Sequence, residues 1–129
     1  MSARRADPRE ALSEAELQRR LCTWLDVVLP RDWRYFATLN GVALGGTTKS
    51  RAMRITFLKE RGLKIGVPDL IFLRRDGLRW CAAELKIGNR PTTAGQDDWI
   101  AWSGGNIATA NSYETLANLL NRHGVGVKA

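Results

Sequence analysis

Two acidic residues and a lysine stand in apolar stretches of this sequence, near the ends of two predicted strands. Asp69 heads one apolar run, and Glu84 and Lys86 end the next. Side chains on a strand alternate between its faces, so Glu84 and Lys86 share a face and lie roughly 7 Å apart. The Asp76-Gly77 pair between the runs is typical of a tight hairpin turn. A hairpin there would bring Asp69 alongside Glu84.

These three side chains indicate a particular chemistry. Two neighbouring carboxylates repel each other, and the pKa of each rises unless a cation lies between them. Mg²⁺, or Mn²⁺ in its place, suits such a pair because it prefers oxygen ligands and keeps several waters. Lys86 would then position an attacking water or stabilise the negative charge that develops. We therefore expect a metal-dependent site for phosphodiester hydrolysis, formed by Asp69, Glu84 and Lys86.

The alternative is that Glu84 and Lys86 form a surface salt bridge, which would contribute little to stability. The strand that carries them argues against this, because its other residues are apolar: Trp80, Cys81, Ala82, Ala83 and Leu85. A strand this apolar is expected to be buried, and charged residues are rarely buried unless they have a partner. A surface salt bridge of little effect is therefore the less favoured explanation.

Length and composition restrict the class of protein. The 129 residues suit one domain with a single core, and the hydrophobic fraction of 44% is that of a globular protein. A net charge of +7 favours a polyanionic partner such as nucleic acid. No apolar run approaches the roughly 20 residues of a membrane span, and the N-terminus lacks the apolar region of a signal peptide. We expect no membrane partner and a cytoplasmic location, in a bacterium or a phage-infected host cell.

Positive charge is concentrated in one segment of sixteen residues, in which Glu60 is the one acidic residue. The basic residues of this cluster are Lys49, Arg51, Arg54, Lys59, Arg61 and Lys64. Such a cluster would hold nucleic-acid phosphates and orient a duplex without reading its bases. The alternative is a helix face that is merely solvated.

The hydrophobic pattern predicts eight elements in the order α-β-α-β-β-α-β-α. Residues 1–12 are expected to form a flexible basic arm, and residues 13–129 a single domain. The first helix begins with a capping-box pattern at Ser13 and ends at Pro30. The later segments are strand 33–39, helix 49–61, strand 67–73, strand 78–87, helix 93–102, strand 107–110 and a helix from Ser112 to about Asn121.

Two packing expectations follow from these segments. Met53 and Phe57 stand four residues apart, so we expect them on the inner face of the second helix. The strand 67–73 is uniformly apolar, so we expect it to be covered on both faces.

Glu16 has two possible roles in the first turn of the first helix. It stands three residues after Ser13, where it would complete the capping box. It would alternatively point from this turn into the active site. The pattern alone favours the cap.

Three motifs together resemble a known group of nucleases. They are G-x-P-D-L at Gly66–Leu70, E-L-K at Glu84–Lys86, and Gln96 ten residues further on. The set resembles the PD-(D/E)xK nuclease superfamily, and more narrowly its VRR-NUC branch, the virus-type replication-repair nuclease domain. Further matches are Glu16-Leu17-Gln18, Asn40-Gly41, the block 62–70, the helix at Gln96–Trp99, and the closing strand and helix. The resemblance implies an α/β fold with a restriction-endonuclease-like αβββαβ core, an extra helix after the first strand and a C-terminal helix.

The resemblance also implies a set of metal ligands. Asp69 and Glu84 match the metal-binding carboxylates of the family. Glu16 matches the acidic residue of the first helix that completes the metal site, which raises this role above the capping role. The main-chain carbonyl of Leu85 would be a further ligand in this geometry.

The catalytic residues and the substrate are implied in the same way. Lys86 matches the catalytic lysine, and Gln96 matches a glutamine near that lysine and the scissile phosphate. Stand-alone members of this size are similar to Holliday-junction resolvases and are expected to be homodimers. The resemblance therefore implies a Mg²⁺-dependent endonuclease selective for branched DNA, such as a four-way junction. Two alternatives stay open: a module that binds DNA or a repair partner without cutting, and a sequence-specific restriction-type endonuclease.

Overall fold

The computed structural model describes residues 13–38 and 47–128, which form four helices and one four-stranded sheet. The elements are α1 (Glu14–Val28), β1 (Trp33–Ala37), α2 (Thr48–Glu60), β2 (Leu70–Arg74), β3 (Trp80–Leu85), α3 (Ala94–Trp102), β4 (Ile107–Ala110) and α4 (Tyr113–Arg122). The predicted mixed α/β class is confirmed. The N-terminal arm at 1–12 and the Asn40-Gly41 match lie outside the described residues.

The sheet has the strand order β1-β2-β3-β4. β1 and β2 are antiparallel, as are β2 and β3, whereas β3 and β4 run parallel. The hairpin between β2 and β3 turns at Asp76, whose Oδ1 accepts from the Leu78 N–H at 2.9 Å. The next residue, Gly77, has a φ of 74°, which favours glycine because it has no Cβ. The parallel pair needs a crossover connection, and α3 supplies it.

The hydrophobic core lies between one face of the sheet and the two helices α1 and α4. The sheet contributes Leu70, Phe72, Cys81, Ala83, Leu85 and Ala110. The helices contribute Leu17, Leu21, Trp24, Leu25, Leu116, Ala117, Leu119 and Leu120. Because side chains alternate along a strand, Asp69, Ile71 and Leu73 project from the opposite face, and so does Glu84. Asp69 and Glu84 therefore lie on the face of the sheet opposite α1 and α4.

Two packing predictions from the sequence were wrong. Leu73 is 43% exposed, so β2 is not covered on both faces along its whole length. Met53 and Phe57 are 65% and 53% exposed, and none of the described side chains of α2 is buried. A four-residue spacing places two side chains on one helix face, but it does not tell whether that face meets another element.

None of the helices in the described part of the chain is long and apolar enough to cross a membrane.

Candidate active site

Asp69 and Glu84 lie side by side at one edge of the sheet. The β2–β3 register pairs Leu70 with Ala83. Asp69 comes one residue before this pair and Glu84 one residue after it, so the two carboxylates are opposite each other. The Leu85 N–H donates to Asp69 Oδ2 at 2.8 Å and ties this carboxylate to β3. Asp69 is 8% exposed and Glu84 2%, so both carboxylates are withdrawn from water.

The two oxygens of Glu84 have different surroundings. Gln96 Nε2 donates to Oε1 at 2.7 Å. The Nζ of Lys86, a residue that is 7% exposed, lies 3.9 Å from the same oxygen. Oε2 is buried and has no hydrogen-bond partner among the described residues. While both carboxyls are ionised, a buried oxygen without a donor is costly, so this atom is suited to receive a cation or to share a proton with Asp69.

The surroundings of the two carboxyls raise the pKa of both. Burial and then the negative charge of Asp69 raise the pKa of Glu84 to about 8, against the opposing charge of Lys86. The pKa of Asp69 is also raised, chiefly by its burial, although the hydrogen bond from the Leu85 N–H acts in the opposite direction. Without a cation the pair therefore keeps a proton at neutral pH. A divalent cation would take the place of that proton.

We expect the metal-free protein to lose stability as the pH rises from about 5 to about 8. The pKa of Glu84 is about 8 in the folded chain, against an ordinary value of 4.5. The folded state therefore binds this proton more tightly, and its contribution is complete below pH 4.5 and is lost as the pH passes 8. The loss from this group should be about 3–5 kcal/mol. Urea unfolding in EDTA at several pH values measures it.

Glu84→Gln is the matched control for this pH dependence, because its amide stays neutral throughout. The difference in unfolding free energy between this variant and the wild type should grow with pH across the window. A difference that stays constant from pH 5 to pH 8 would contradict the assignment of a raised pKa to Glu84.

The first turn of α1 carries two carboxylates that point in different directions. Glu16, the residue singled out from the sequence, binds Arg19 (Nε–Oε2, 2.9 Å) and Arg20 (Nε–Oε1, 3.0 Å), which lower its pKa to about 2. One of the two hydrogen bonds of a capping box is present, because the main-chain N–H of Glu16 donates to Ser13 Oγ at 3.1 Å.

The charge of Glu14 has a minor effect on the buried pair. Its negative charge contributes to raising the pKa of both Asp69 and Glu84. Its own Oε1 lies 3.5 Å from Arg90 Nη1, in the loop after β3. A signal for Glu14 was present in the sequence, because it precedes the buried residues Leu17, Leu21 and Leu25 by three, seven and eleven residues. These spacings place Glu14 on the buried face of the helix.

The cap of α3 fixes the direction of the Gln96 side chain. Thr93 is the N-cap of this helix, and Gln96 is the third helical residue. Gln96 Oε1 accepts from the Thr93 N–H at 2.8 Å, while the Gln96 N–H donates to Thr93 Oγ1 at 3.3 Å. This capping box leaves Nε2 directed at Glu84. Gln96 is therefore placed to hold one oxygen of Glu84. The sequence resemblance placed Gln96 near the lysine but did not indicate this contact with Glu84.

The segment that leads into β2 is clamped against α3 and β1. Gly66 has a φ of 85°, and a Cβ there would lie 2.6 Å from the carbonyl carbon of Gly95 at the start of α3. Trp99 Nε1 donates to the Ile65 carbonyl at 3.2 Å. On the other side, Thr38 holds the carbonyl oxygens of residues 68 and 69, through its hydroxyl at 2.7 Å and its N–H at 2.9 Å. The main chain around Asp69 is thus fixed from both sides.

Gly66→Ala should destabilise the protein and displace Asp69 relative to Gln96. Gly77→Ala is the matched control, because Gly77 also has a positive φ but has no atom within 4 Å of an added Cβ. Both variants bear the cost of a left-handed residue, and only Gly66→Ala adds a clash with main-chain atoms. We expect Gly66→Ala to be less stable than the control by about 2 kcal/mol or more in urea unfolding. Equal stabilities would show that this close approach is unimportant.

The six residues of the basic cluster are all exposed, on α2 and in the turn that follows it. Arg61 lies over the Phe57 ring, with its guanidinium carbon 3.6 Å from the ring centroid. Lys64 borders an apolar groove of about 270 Å³ that Pro68 and Ile71 also line. Lys64 therefore lines the same groove as Ile71 of β2, the strand that follows Asp69.

The donors at the site fit a hard cation. Within residues 13–38 and 47–128, no group of three or more His, Cys, Asp or Glu side chains is arranged to hold a metal ion. Mg²⁺ is commonly held by one or two carboxylates and keeps several waters. Asp69 and the Oε2 of Glu84, both at the buried edge of the sheet, are oxygen donors of this kind.

Comparison of the chain with protein-family models finds no match, and comparisons with curated proteins and with solved structures find no significant one.

Proposed function

We propose that this protein is a metal-dependent endonuclease that hydrolyses phosphodiester bonds in DNA. The observation that supports the proposal most strongly is the buried carboxylate pair of Asp69 and Glu84 with Lys86 beside it. All three residues are less than 10% exposed, and one oxygen of Glu84 has no partner among the described residues. Such an arrangement is costly to the fold, and a divalent cation with a phosphate substrate would offset the cost.

Asp69, Glu84 and the Leu85 carbonyl would hold the cation, which when bound polarises a phosphate oxygen and makes water more acidic. Gln96 keeps Glu84 in place by binding its other oxygen. Lys86 Nζ is 3.9 Å from Glu84 Oε1, which exceeds a hydrogen-bond length. Its N–H groups can therefore donate to the attacking water or to a phosphate oxygen and stabilise the charge that develops there. The products would carry a 5′-phosphate and a 3′-hydroxyl.

The fold supports the same proposal at a coarser level. Leaving out α2 and α4, the order of elements is α1, β1, β2, β3, α3 and β4, which agrees with the αβββαβ core of restriction-endonuclease-like enzymes. We propose that α2 is the helix inserted after the first strand and that the chain is a nuclease of the VRR-NUC type. Its exposed basic cluster would hold DNA close to the carboxylate pair.

Branched DNA is the proposed substrate, and a homodimer is the proposed form. A two-fold dimer would present two sites to a four-way junction, whose arms are arranged with approximate two-fold symmetry. Trp102 is 71% exposed and packs edge-on against Trp99, so α3 offers an apolar surface for a second copy. Sedimentation equilibrium should give the mass of two chains, and the mass of one chain would contradict the dimer.

Purified protein incubated with labelled linear, flap and four-way-junction DNA tests the proposed activity. We expect cleavage in Mg²⁺ or Mn²⁺, none in EDTA, and a preference for the junction. Binding without cutting in any metal would favour a binding module. Cutting of linear duplex at one sequence would favour a restriction-type enzyme.

Glu14→Gln should weaken Mg²⁺-dependent cleavage more than Glu16→Gln does. Glu14 acts on the buried pair through its charge, whereas Glu16 is bound by two arginines of its own helix. The two variants remove the same charge from the same helical turn, so each is the control for the other. Cleavage rates over a range of Mg²⁺ concentrations measure the effect. A larger loss in Glu16→Gln would restore the role that the sequence resemblance gave to Glu16.

A further inference from the structure

A cleft lined by arginines lies at the end of β1 and β2 that is remote from the carboxylate pair. Its volume is about 470 Å³, and its described lining residues are Arg31, Asp32, Arg34, Leu73, Arg74 and Arg75. The turn before β1 and the end of β2 form its walls. These segments are joined by a hydrogen bond from the Arg75 N–H to the Asp32 carbonyl at 2.6 Å. The pairing of β1 with β2 therefore brings four arginines together from two distant parts of the chain.

The positive charge of this cleft is only partly balanced. Arg74 is bound to Asp76, with Nη2 2.6 Å from Oδ2, and the charge of Asp32 also acts on Arg74. Arg31, Arg34 and Arg75 are exposed and form no ion pair within the described part of the chain. Three guanidinium groups around one cleft repel each other, and a bound anion would relieve that repulsion. The planar guanidinium donors of arginine match the oxygens of a phosphate group.

Two residues that line the cleft, Arg34 and Leu73, lie on the same face of the sheet as the carboxylate pair. Arg34 is paired with Leu73 in the β1–β2 register. Leu73 lies four residues after Asp69 on the same strand and therefore projects from the same face. The five residue steps from Asp69 to Arg74 span roughly 17 Å along β2. Phe36, which is 51% exposed, lies beside Ile71 on the path between the two sites.

We propose that this cleft binds the phosphate backbone of a nucleic-acid strand whose scissile bond lies at the carboxylate pair. The inference rests on the proposed function in that it takes nucleic acid as the substrate. A separation of roughly 17 Å corresponds to about five nucleotides of a stacked strand. Phe36 offers an exposed aromatic ring against which a base of that strand can stack. Arg31, Arg34 and Arg75 supply the phosphate contacts.

Binding of labelled DNA in EDTA, followed by fluorescence anisotropy, tests the cleft independently of cleavage. The variant is Arg34→Gln with Arg75→Gln. The matched control is Arg122→Gln with Lys128→Gln, which removes the same charge from exposed positions on α4 and the C-terminal segment. The cleft variant should bind about 10–100-fold more weakly at 0.1 M salt, and the slope of log K against log salt should fall by about 2 in magnitude. The control should bind like the wild type.

A second variant separates the effect of the positive charge from that of the planar guanidinium group. Arg34→Lys with Arg75→Lys keeps both charges and should retain most of the salt slope, while losing part of the affinity because lysine lacks the planar fork. Equal binding by the wild type, the Gln variant and the control would overturn the proposal. So would displacement of the DNA by polyglutamate as readily as by unlabelled DNA, because the cleft would then be a general anion site. If the protein never cuts DNA but the Gln variant binds it more weakly, the cleft is still a phosphate-binding site and the proposed nuclease activity is overturned.

Discussion

Lys86→Met is expected to lower the rate of Mg²⁺-dependent DNA cleavage by about 10²–10³-fold, with little change in the fold. The ammonium of Lys86 lies 3.9 Å from Glu84 Oε1, within reach of the carboxylate pair. Methionine has a similar length and suits a residue that is 7% exposed. The main-chain hydrogen bond from the residue 86 N–H to the Ala110 carbonyl, at 3.1 Å, does not depend on the side chain.

Single-turnover cleavage of a labelled four-way junction at saturating protein measures this effect on the chemical step. Lys128→Met, at an exposed position near the C-terminus, controls for the loss of one positive charge. Unfolding by urea shows whether the variant has kept its stability. If Lys86→Met cuts at the wild-type rate, Lys86 has no part in the chemistry.

Asp69→Asn is expected to remove Mg²⁺ binding and to lower cleavage by about 10³-fold or more. The asparagine side-chain oxygen can still accept from the Leu85 N–H, which now donates to Asp69 Oδ2 at 2.8 Å, so the local structure should persist. The variant lacks the negative charge that a divalent cation requires. Because a ligand that binds only the folded state stabilises it, Mg²⁺ should raise the Tm of the wild type and leave that of Asp69→Asn unchanged.

Asp98→Asn is the matched control for this variant, since Asp98 is an exposed residue of α3. It should show the wild-type Tm shift in Mg²⁺ and the wild-type rate of cleavage. A normal Mg²⁺ shift in Asp69→Asn would mean that the cation binds elsewhere.

Local patterns in the sequence were sufficient to predict the elements and the pairing of the two carboxylates. The Asp76-Gly77 turn and the two apolar runs on either side of it determine the register of the hairpin, and that register places Asp69 opposite Glu84. The burial of Glu84 also follows from the sequence, because its neighbours on β3 are apolar. These predictions depend on residues that are close in the chain or joined by one short turn.

Contacts between elements that are distant in the chain could not be predicted from these local patterns. The spacing of Met53 and Phe57 defined a helix face, but whether another element covers α2 depends on the whole fold. The contact of Gln96 with Glu84 depends on how α3 docks, through Gly66 and Trp99, on the segment before β2. The arginine cleft was missed because its residues come from 31–34 and 74–75, whereas the sequence revealed only charges clustered along the chain.

The two carboxylates of α1 were treated differently by the two kinds of sequence argument. The capping-box pattern gave Glu16 a structural role, and only the family resemblance assigned it to the metal site. Glu14 lies on the stripe of residues that are buried further along the helix, among them Leu17 and Leu21. The periodicity of the whole helix therefore points to Glu14, whose charge contributes to raising the pKa of both buried carboxyls.

The most direct test of the central claim is the cleavage of a labelled four-way junction by the wild type in Mg²⁺, compared with Asp69→Asn and with the wild type in EDTA. We expect cleavage by the wild type in Mg²⁺ alone, with products that carry 5′-phosphates. Cleavage of equal rate in EDTA or by Asp69→Asn would contradict it, because the carboxylate pair would then not be the site of the chemistry.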